Sequence, residues 1–261
     1  MSVVEPLVAQ IQIQTQNKAE RKAAPAAPTV IQMGVRNGRR RRFTGLLSIS
    51  PIIATKVLPG ACLSKLNIVV LAAGFSTRLR QPKALARIHG VSLLRSTLEM
   101  ADALRAAAIV VVVPPACARY RREAGRAAVI WARNAQRSHG LSTSVRCGLR
   151  YSRYAAAALL LPVDLVRLEL RELQSLVSRW RACRRRVFAT RMTAGTAQHG
   201  GIPLILPVRF FSLARNLQGD VGLRALIAGV PAAERTLVDL PSAHTDVDTV
   251  HDLASARRRW S

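Results

Sequence analysis

A segment of thirteen residues combines small side chains with cations at spacings that suit anion binding. It reads Leu71-Ala72-Ala73-Gly74-Phe75-Ser76-Thr77-Arg78-Leu79-Arg80-Gln81-Pro82-Lys83. The small residues Ala72–Gly74 allow a tight turn that exposes backbone N–H groups, and such a nest binds phosphate oxygens. Arg78 and Lys83 can add charged donors to the same anion. The spacing is neither that of a Walker loop nor that of the GxGxxG fingerprint. From the residues alone, a phosphate site and a solvated loop both remain open.

Carboxylates at two further places could bind a metal or could simply cap helices. Asp164 follows the apolar run Leu159–Val163, while Asp246 and Asp248 precede the last helical segment. An Asp at such a position often caps the next helix. Asp220 and Arg224 have the i,i+4 spacing of a surface ion pair. The histidines lack metal-ligand spacing, and we expect structural or exposed roles for His89, His139, His199, His244 and His251.

Strands and helices alternate along residues 67–261 and must position these groups. Apolar and β-branched runs predict strands at Asn67–Ala72, Ala108–Val113, Ala127–Trp131, Ala157–Val163, Val187–Met192, Pro203–Leu206 and Thr236–Leu240. Helical spacing predicts helices at Leu93–Ala106, Tyr120–Gly125, Ser142–Tyr151, Leu168–Ala182, Arg209–Asn216, Gly222–Gly229 and Thr249–Trp260. The alternation predicts an α/β fold with three α-β-α layers and a mostly parallel sheet. Ligands of such sheets bind at the carboxyl ends of strands, which favours the loops after Ala72 and Val163.

The large positive charge is spread along the chain. The sequence has 40 Lys+Arg against 14 Asp+Glu, a formal net charge of +26. Residues 67–261 carry thirty basic residues, of which twenty-nine are Arg and the single lysine is Lys83. This pattern indicates an arginine bias of composition, and 4% aromatic content argues against a base-stacking RNA binder. We therefore expect no nucleic-acid partner, and Lys83 stands out as a residue to explain.

The N-terminal part differs in composition from the rest. Residues 1–65 contain low-complexity patches, so we expect a disordered basic extension, or a start codon assigned too far upstream, before a domain at 66–261. The longest apolar run, Ala155–Val163, is too short to span a membrane. The cysteines show no CxxC pair, and neither a zinc site nor a disulfide framework is expected for Cys62, Cys117, Cys147 and Cys183. These features predict a cytoplasmic protein without a membrane partner.

The segment Leu71–Lys83 resembles, nearly residue for residue, the signature L-A-A-G-x-S-x-R-x-G-x-P-K of the MobA/MocA-like nucleotidyltransferases. That family includes the molybdenum cofactor cytidylyltransferases. Five further elements resemble the family in the same order across residues 67–256: Asn134 with Gly140–Gly148, Leu159–Asp164, Gly201–Pro203, Gly219–Arg224 and Asp246–Leu253. The resemblance implies the Rossmann-like nucleotidyltransferase fold of that family.

The resemblance also implies a reaction and a set of residues. A nucleoside monophosphate would pass from a nucleoside triphosphate to a phosphate on an acceptor, with release of pyrophosphate and with Mg²⁺ as cofactor. Arg78 and Lys83 would be the catalytic cations. Nucleotide binding is implied for Leu71, Ala72, Ala73, Gly74, Ser76, Arg78, Lys83, Ser142 and Ser144. Acceptor binding is implied for Gly201, Pro203 and Asp220, and metal binding for Asp164 and Asp248.

Substrate specificity follows from finer points of the same resemblance. Ala73 at the third position of the loop resembles the cytidylyl type, whereas the guanylyl type carries L-A-G-G, so CTP is favoured. The implied acceptor is molybdopterin, with a molybdoenzyme or its maturation factor as a partner. The alternatives are a guanylyltransferase, a methylerythritol-phosphate cytidylyltransferase, and an inactive member that acts as a binding protein. Two departures from the family bear on activity: Arg80 replaces a Gly, and Leu165-Val166 replaces Gln-Pro.

Overall fold

Seven strands form one sheet in the computed structural model, which describes residues 65–79, 81–194, 196–217 and 222–259. The strand order in the sheet is β5-β4-β1-β6-β8-β7-β9. A separate two-stranded ribbon pairs β2 with β3. The bounds are β1 Leu66–Leu71, β2 Arg87–Ile88, β3 Val91–Ser92, β4 Ala108–Val113, β5 Ile130–Arg133, β6 Ala157–Pro162, β7 Val187–Ala194, β8 Ala197–Pro207 and β9 Arg235–Val238.

Helices cover both faces of this sheet. The α-helices are α1 Leu93–Ala103, α2 Ala118–Ala124, α3 Leu141–Tyr151, α4 Leu170–Ala182, α5 Gly222–Ala228 and α6 Val250–Arg259. Alternate residues of β1 point to opposite faces, as the pleat of a strand requires. Ile68 and Val70 pack in a core with residues of α1, α2 and α4, whereas Val69 and Leu71 pack with residues of α3 and α5. The predicted three-layer α-β-α fold is therefore confirmed.

The sheet is mostly parallel, with one strand reversed. Strands β5, β4, β1 and β6 run parallel to one another, and β7 runs parallel to β9. Strand β8 is antiparallel to both of its neighbours, β6 and β7. The reversal follows from the short connection between β7 and β8, because a parallel return would need a crossover of a dozen or more residues.

Some predicted elements differ from those observed. The segment predicted as a helix near Arg209–Asn216 is a 3₁₀ helix, Val208–Asn216. The β2–β3 ribbon was not predicted, because two-residue strands are too short to show an alternating pattern. Its turn residues His89 and Gly90 have φ of 47° and 80°, as a tight hairpin turn requires. No helix within the described ranges is long and apolar enough to cross a membrane.

The order of the strands creates an opening at the middle of the sheet. From β1 the chain moves outward to β4 and β5 on one side, and then returns to place β6 on the other side of β1. The loops that follow β1 and β6 therefore leave the sheet in different directions. Such a switch point is where α/β sheets bind ligands, and it lies at the two loops that the sequence favoured.

Candidate active site

A cleft of about 680 Å³ opens at the carboxyl ends of β1 and β6. Its walls come from the loop after β1, the residues after β6, the beginning of α3 and the middle of β8. Of the residues that the resemblance implicated, those lining the cleft are Leu71, Ala72, Ala73, Gly74, Ser76, Arg78, Lys83, Ser144, Asp164, Gly201 and Asp248. The fold thus brings together residues that lie up to 177 positions apart in the sequence.

Ser76 connects the loop after β1 to the residues that follow it through two hydrogen bonds. Its φ is 53°, a left-handed conformation that is uncommon for residues other than glycine. The Ser76 Oγ accepts a hydrogen bond from the backbone N–H of Lys83 at 2.8 Å, and the Ser76 carbonyl accepts one from the N–H of Leu79 at 3.0 Å. In this structure Ser76 therefore fixes the beginning of the segment that carries Lys83.

Gly74 lies at the exposed turn of the same loop. A Cβ atom added there would meet no other heavy atom within 4 Å. The residue is also not among the glycines with positive φ. Neither packing within the protein nor backbone conformation therefore demands a glycine at this position. A side chain would instead extend into the space in front of the loop, so the glycine suits the close approach of a ligand to the backbone.

Lys83 joins two carboxylates from distant parts of the chain. Its Nζ donates to Asp164 Oδ2 at 2.9 Å and to Asp248 Oδ1 at 2.6 Å. Burial disfavours the charged ammonium, but the two carboxylates more than offset that penalty, and the pKa of Lys83 is raised. Arg78 adds a second cation, with Nη1 at 3.7 Å from Asp248 Oδ2. The ammonium of Lys83 thus remains charged at neutral pH.

Backbone contacts bring the two carboxylates together. The N–H of Val247 donates to the carbonyl of Asp164 at 3.1 Å, which ties the segment before α6 to the loop after β6. The side chain of Val247 is buried in a small cluster that includes Leu79 and Leu253. Asp248 consequently lies beside Lys83. The nearby Asp246 has a raised pKa, because burial and the charges of Asp248 and Asp164 all disfavour its ionised form.

A different pair of residues caps α6. Thr249 Oγ1 accepts the N–H of Asp252 at 3.1 Å, and the Asp252 carboxylate accepts the N–H of Thr249 at 2.8 Å. This reciprocal arrangement is a capping box. Because Thr249 and Asp252 satisfy the end of the helix, the carboxylate of Asp248 is left to contact Lys83 and Arg78. The capping explanation that the sequence allowed for Asp246 and Asp248 does not hold.

Asn134 organises the segment that leads into α3. Its Nδ2 donates to Thr143 Oγ1 at 2.9 Å and to Ser144 Oγ at 3.0 Å, and its Oδ1 accepts the N–H of Gln136 at 3.0 Å. Ser144 lines the cleft, whereas Ser142 is buried and does not. The Oγ of Ser142 has no hydrogen-bond partner within the described part of the chain. Ser142, which was predicted to contact the nucleotide, therefore lies behind the wall of the cleft.

The predicted acceptor residues fall in three different settings. Gly201 lines the cleft, and a Cβ atom there would come within 2.4 Å of Met192 Cγ. Pro203 is buried in β8, where its carbonyl accepts a hydrogen bond from Thr190 Oγ1 at 2.9 Å, and it is not part of the lining. Asp220 lies outside the described residues, as does Arg80.

Four basic residues of the lining were not assigned to the site from the sequence. Arg137 lies at the beginning of a 3₁₀ turn before α3, and His199, Arg224 and His244 line the cleft around the β8 side. His199 and His244 had been expected to be structural or exposed. Their sequence spacing carries no signal, because the β7–β8 hairpin and the segment before α6 bring them to the cleft only in the folded chain.

The donor set at Lys83 suits a hard divalent cation. Mg²⁺ is commonly held by one or two carboxylates together with substrate phosphates, and Asp164 and Asp248 already converge on one cationic atom. Across the described residues there is no group of three or more His, Cys, Asp or Glu side chains that could form a complete protein cage. Two carboxylates at an open cleft fit a metal that also binds a substrate.

Comparison with known proteins gives one family. The model of the MobA-like NTP transferase domain matches residues 68–240. The crystal structure of Rv0371c from Mycobacterium tuberculosis H37Rv is similar, with 24% identity and a TM-score of 0.59 over 74% of this chain and 98% of that chain. Its homologue from Mycobacterium sp. strain JC1 is 25% identical, with a TM-score of 0.59 over 75% and 98%.

More distant structures share the fold. A nucleotidyl transferase from Methanothermobacter thermautotrophicus is 16% identical, with a TM-score of 0.61 over 75% of this chain and 97% of that chain. A second structure of Rv0371c is a complex with manganese, and matches with 20% identity and a TM-score of 0.58 over 74% and 98%. None of the curated proteins matches this sequence. These similarities, together with the family match, confirm the resemblance seen in the loop after β1.

Proposed function

Since this chain belongs to the MobA-like NTP transferase family, we propose that it transfers CMP from CTP to a phosphate group on a molybdopterin-type acceptor. The observation that carries this proposal is the position of Lys83. Its ammonium contacts Asp164 and Asp248 in the cleft whose adjoining wall is the small-residue loop Ala72–Ser76. Cations, free backbone amides and a carboxylate pair in one cleft are the parts that phosphoryl chemistry needs.

The reaction needs no nucleophile from the protein. An oxygen of the acceptor phosphate attacks the α-phosphorus of the nucleotide, the bond from that phosphorus to the bridging oxygen breaks, and pyrophosphate leaves with the bond electrons. The protein has to align two polyanions and neutralise the charge that develops between them. The loop around Gly74 would hold the triphosphate. Arg78 and Lys83 would stabilise the transition state and the departing pyrophosphate.

A divalent cation, with Mg²⁺ as our proposal, would be held by Asp164 and Asp248. When bound, such a cation neutralises phosphate charge and polarises the phosphoryl group. The manganese complex of the relative Rv0371c supports a divalent metal in this fold. In this chain, the raised pKa of Lys83 keeps its ammonium charged beside the same carboxylates. The protein therefore supplies a positive charge of its own at this point of the cleft.

The proposed nucleotide and the proposed acceptor are each supported by residues that line the cleft. Ala73 lines the cleft, and its resemblance to the third loop residue of the cytidylyl type supports CTP over GTP. The lining also includes the apolar side chains of Met192, Ile202 and Leu223 together with His199 and Arg224. This mixture supports an acceptor that combines an apolar ring system with a phosphate, as molybdopterin does. Asp220 is proposed to contribute to the same acceptor pocket.

The test measures pyrophosphate release by the full chain with Mg²⁺, molybdopterin and each of the four nucleoside triphosphates. We expect release with CTP above the other three. Lys83→Ala and Asp164→Ala should each lower turnover by about 100-fold or more, as loss of a transition-state contact does. Matched controls are Lys65→Ala, which changes the other described lysine, and Asp239→Ala, whose carboxylate pairs with Arg191 on the surface.

Each outcome discriminates between the alternatives. Faster release with GTP would identify a guanylyltransferase, and release with CTP and methylerythritol phosphate would identify another acceptor. No consumption of any nucleotide would favour an inactive member that acts as a binding protein. Full activity in Lys83→Ala or Asp164→Ala would show that the assignment of the site is wrong.

A further inference from the structure

Arg137 reaches across the cleft wall to the loop after β1. Its Nη1 donates to the carbonyl of Ala73 at 3.3 Å, and its guanidinium carbon lies 4.1 Å from the centroid of the Phe75 ring. Phe75 is half exposed, and all three residues line the cleft. A guanidinium above an aromatic face is attracted by the partial negative charge on the face of the ring. The same arginine is thus held by the loop at two points.

The contact with Ala73 has a consequence for the next residue. The carbonyl of Ala73 and the N–H of Gly74 belong to one planar trans peptide unit, in which the two groups point in opposite directions. When Arg137 fixes the direction of the carbonyl, it also fixes the direction of the Gly74 N–H. Gly74 has no side chain and open space around it, so its own packing restrains this peptide very little.

Arg137 itself belongs to a segment that is hydrogen-bonded to the beginning of α3. It begins the 3₁₀ turn Arg137–His139, and its carbonyl accepts the N–H of Gly140, the residue just before α3, at 3.3 Å. The preceding residue, Gln136, donates its N–H to Asn134, which also bonds Thr143 and Ser144 in α3. The arginine therefore links the beginning of α3 to the loop after β1.

We propose that Arg137 is a positioning residue for the loop after β1, Ala72–Ser76, and that the Phe75 ring orients its guanidinium. The pair sets the affinity for the triphosphate by holding the peptide between Ala73 and Gly74 in one orientation. This inference rests on the proposed function, because it requires that the loop bind a nucleoside triphosphate. It adds two residues to which the family resemblance gave no role.

The test is a calorimetric titration of CTP with Mg²⁺ into the full chain and its variants. Arg137→Ala and Phe75→Ala should each weaken binding by about tenfold, the effect of losing one oriented contact. The double variant should bind no more weakly than Arg137→Ala, because the ring acts only through the guanidinium. Arg137→Lys should recover little, since an ammonium cannot both stack on the ring and donate in the plane of the carbonyl.

A second pair provides the control. Arg121 lies 5.7 Å from the ring centroid of Trp131, and neither residue lines the cleft. Arg121→Ala should leave CTP binding unchanged. The melting temperatures of all variants should stay within about 2 °C of the parent protein, because Phe75 is half exposed and a change at the surface costs little. If Phe75→Ala nevertheless unfolds, Phe75→Leu keeps the apolar contact and removes the aromatic face.

Kinetics separate positioning from a merely structural role. We expect Arg137→Ala to raise the KM for CTP while the KM for the acceptor stays unchanged. Binding of CTP by Arg137→Ala at the parental affinity, or effects of the two substitutions that multiply in the double variant, would overturn the inference and leave the proposed function intact. If the parent protein binds no nucleoside triphosphate, the proposed function and this inference fall together.

Discussion

Lys83 is paired with carboxylates that lie 81 and 165 residues away along the chain. Sequence spacing contains no information about such distances, so the residue could be singled out as an exceptional lysine but its partners could not be assigned. The compact ammonium suits this position, because it can donate to both carboxylates at once. A planar guanidinium carries its donors on separate nitrogens in a rigid fork, so it cannot bring two carboxylates onto one donor atom as the ammonium does. The geometry thus gives a physical reason for the lysine in a domain otherwise rich in arginine.

Asp252 offers a test of the local structure that positions Asp248. Hydrogen bonds from the side chain and backbone of Thr249 lower the pKa of Asp252. A carboxylate whose pKa is lowered on folding stabilises the protein above its unfolded pKa of about 4. That contribution is lost as the pH falls through the lower folded value. We predict that Asp252→Asn melts below the parent protein at pH 7, and that the difference shrinks as the pH falls below the unfolded pKa of about 4.

Thermal melts between about pH 2.5 and pH 7 measure this effect. Asp102→Asn, at an exposed position of α1, is the control and should change the melting temperature little. A melting difference for Asp252→Asn that persists unchanged into acid would contradict the charged capping box.

At the scale of elements, the buried strands were predictable and their directions were not. The runs at β1, β4 and β6 are apolar on both faces, which is the pattern of central parallel strands. In β8 only the second half is continuously buried, so the sequence indicated a strand at Pro203–Leu206 and missed Ala197–Ile202. The β7–β8 hairpin, in which β8 is reversed, was therefore not predicted. The position of His199 in the cleft depends on that hairpin and was not predicted either.

Gly148 shows how the packing of one helix serves the site. A Cβ atom at this position of α3 would come within 2.2 Å of Val69 Cγ1 and 3.1 Å of Val112 Cγ2, both in the sheet below. Overpacking usually costs about 1–3 kcal/mol, and replacing a helical glycine by alanine returns up to about 1 kcal/mol. We therefore predict that Gly148→Ala destabilises the protein by up to about 2 kcal/mol. Chemical denaturation measures the change.

Gly74→Ala is the matched comparison for Gly148→Ala. The space around Gly74 is open, so its substitution should leave the free energy of unfolding within about 0.5 kcal/mol of the parent value and weaken nucleotide binding instead. Val69→Ala combined with Gly148→Ala should recover part of the lost stability by removing the clash. Equal stability of Gly148→Ala and the parent would show that α3 can move away from the sheet at no cost.

At the scale of the whole molecule, many arginines bond the backbone and face no common partner. Arg146 donates to the carbonyl of Leu217, Arg235 to that of Ile227, and Arg209 to that of Arg185. These arginines belong to three elements, namely α3, β9 and the 3₁₀ helix Val208–Asn216. A guanidinium has five donors, so one side chain can secure a loop while it remains charged. Each arginine that secures the backbone in this way also adds one positive charge to the protein.

This arrangement predicts an unusual response to salt. Residues 67–261 hold thirty basic and twelve acidic residues, a difference of +18, so unpaired positive charges repel one another in the folded state. Raising NaCl from about 20 mM to about 300 mM screens that repulsion, whereas arginine bonds to carbonyls depend little on ionic strength. The melting temperature of the full chain should therefore rise with NaCl. Choline chloride should act alike, and a neutral osmolyte at equal osmolality should not. A melting temperature that falls with NaCl would mean that local ion pairs, such as Arg191 with Asp239, outweigh the net repulsion.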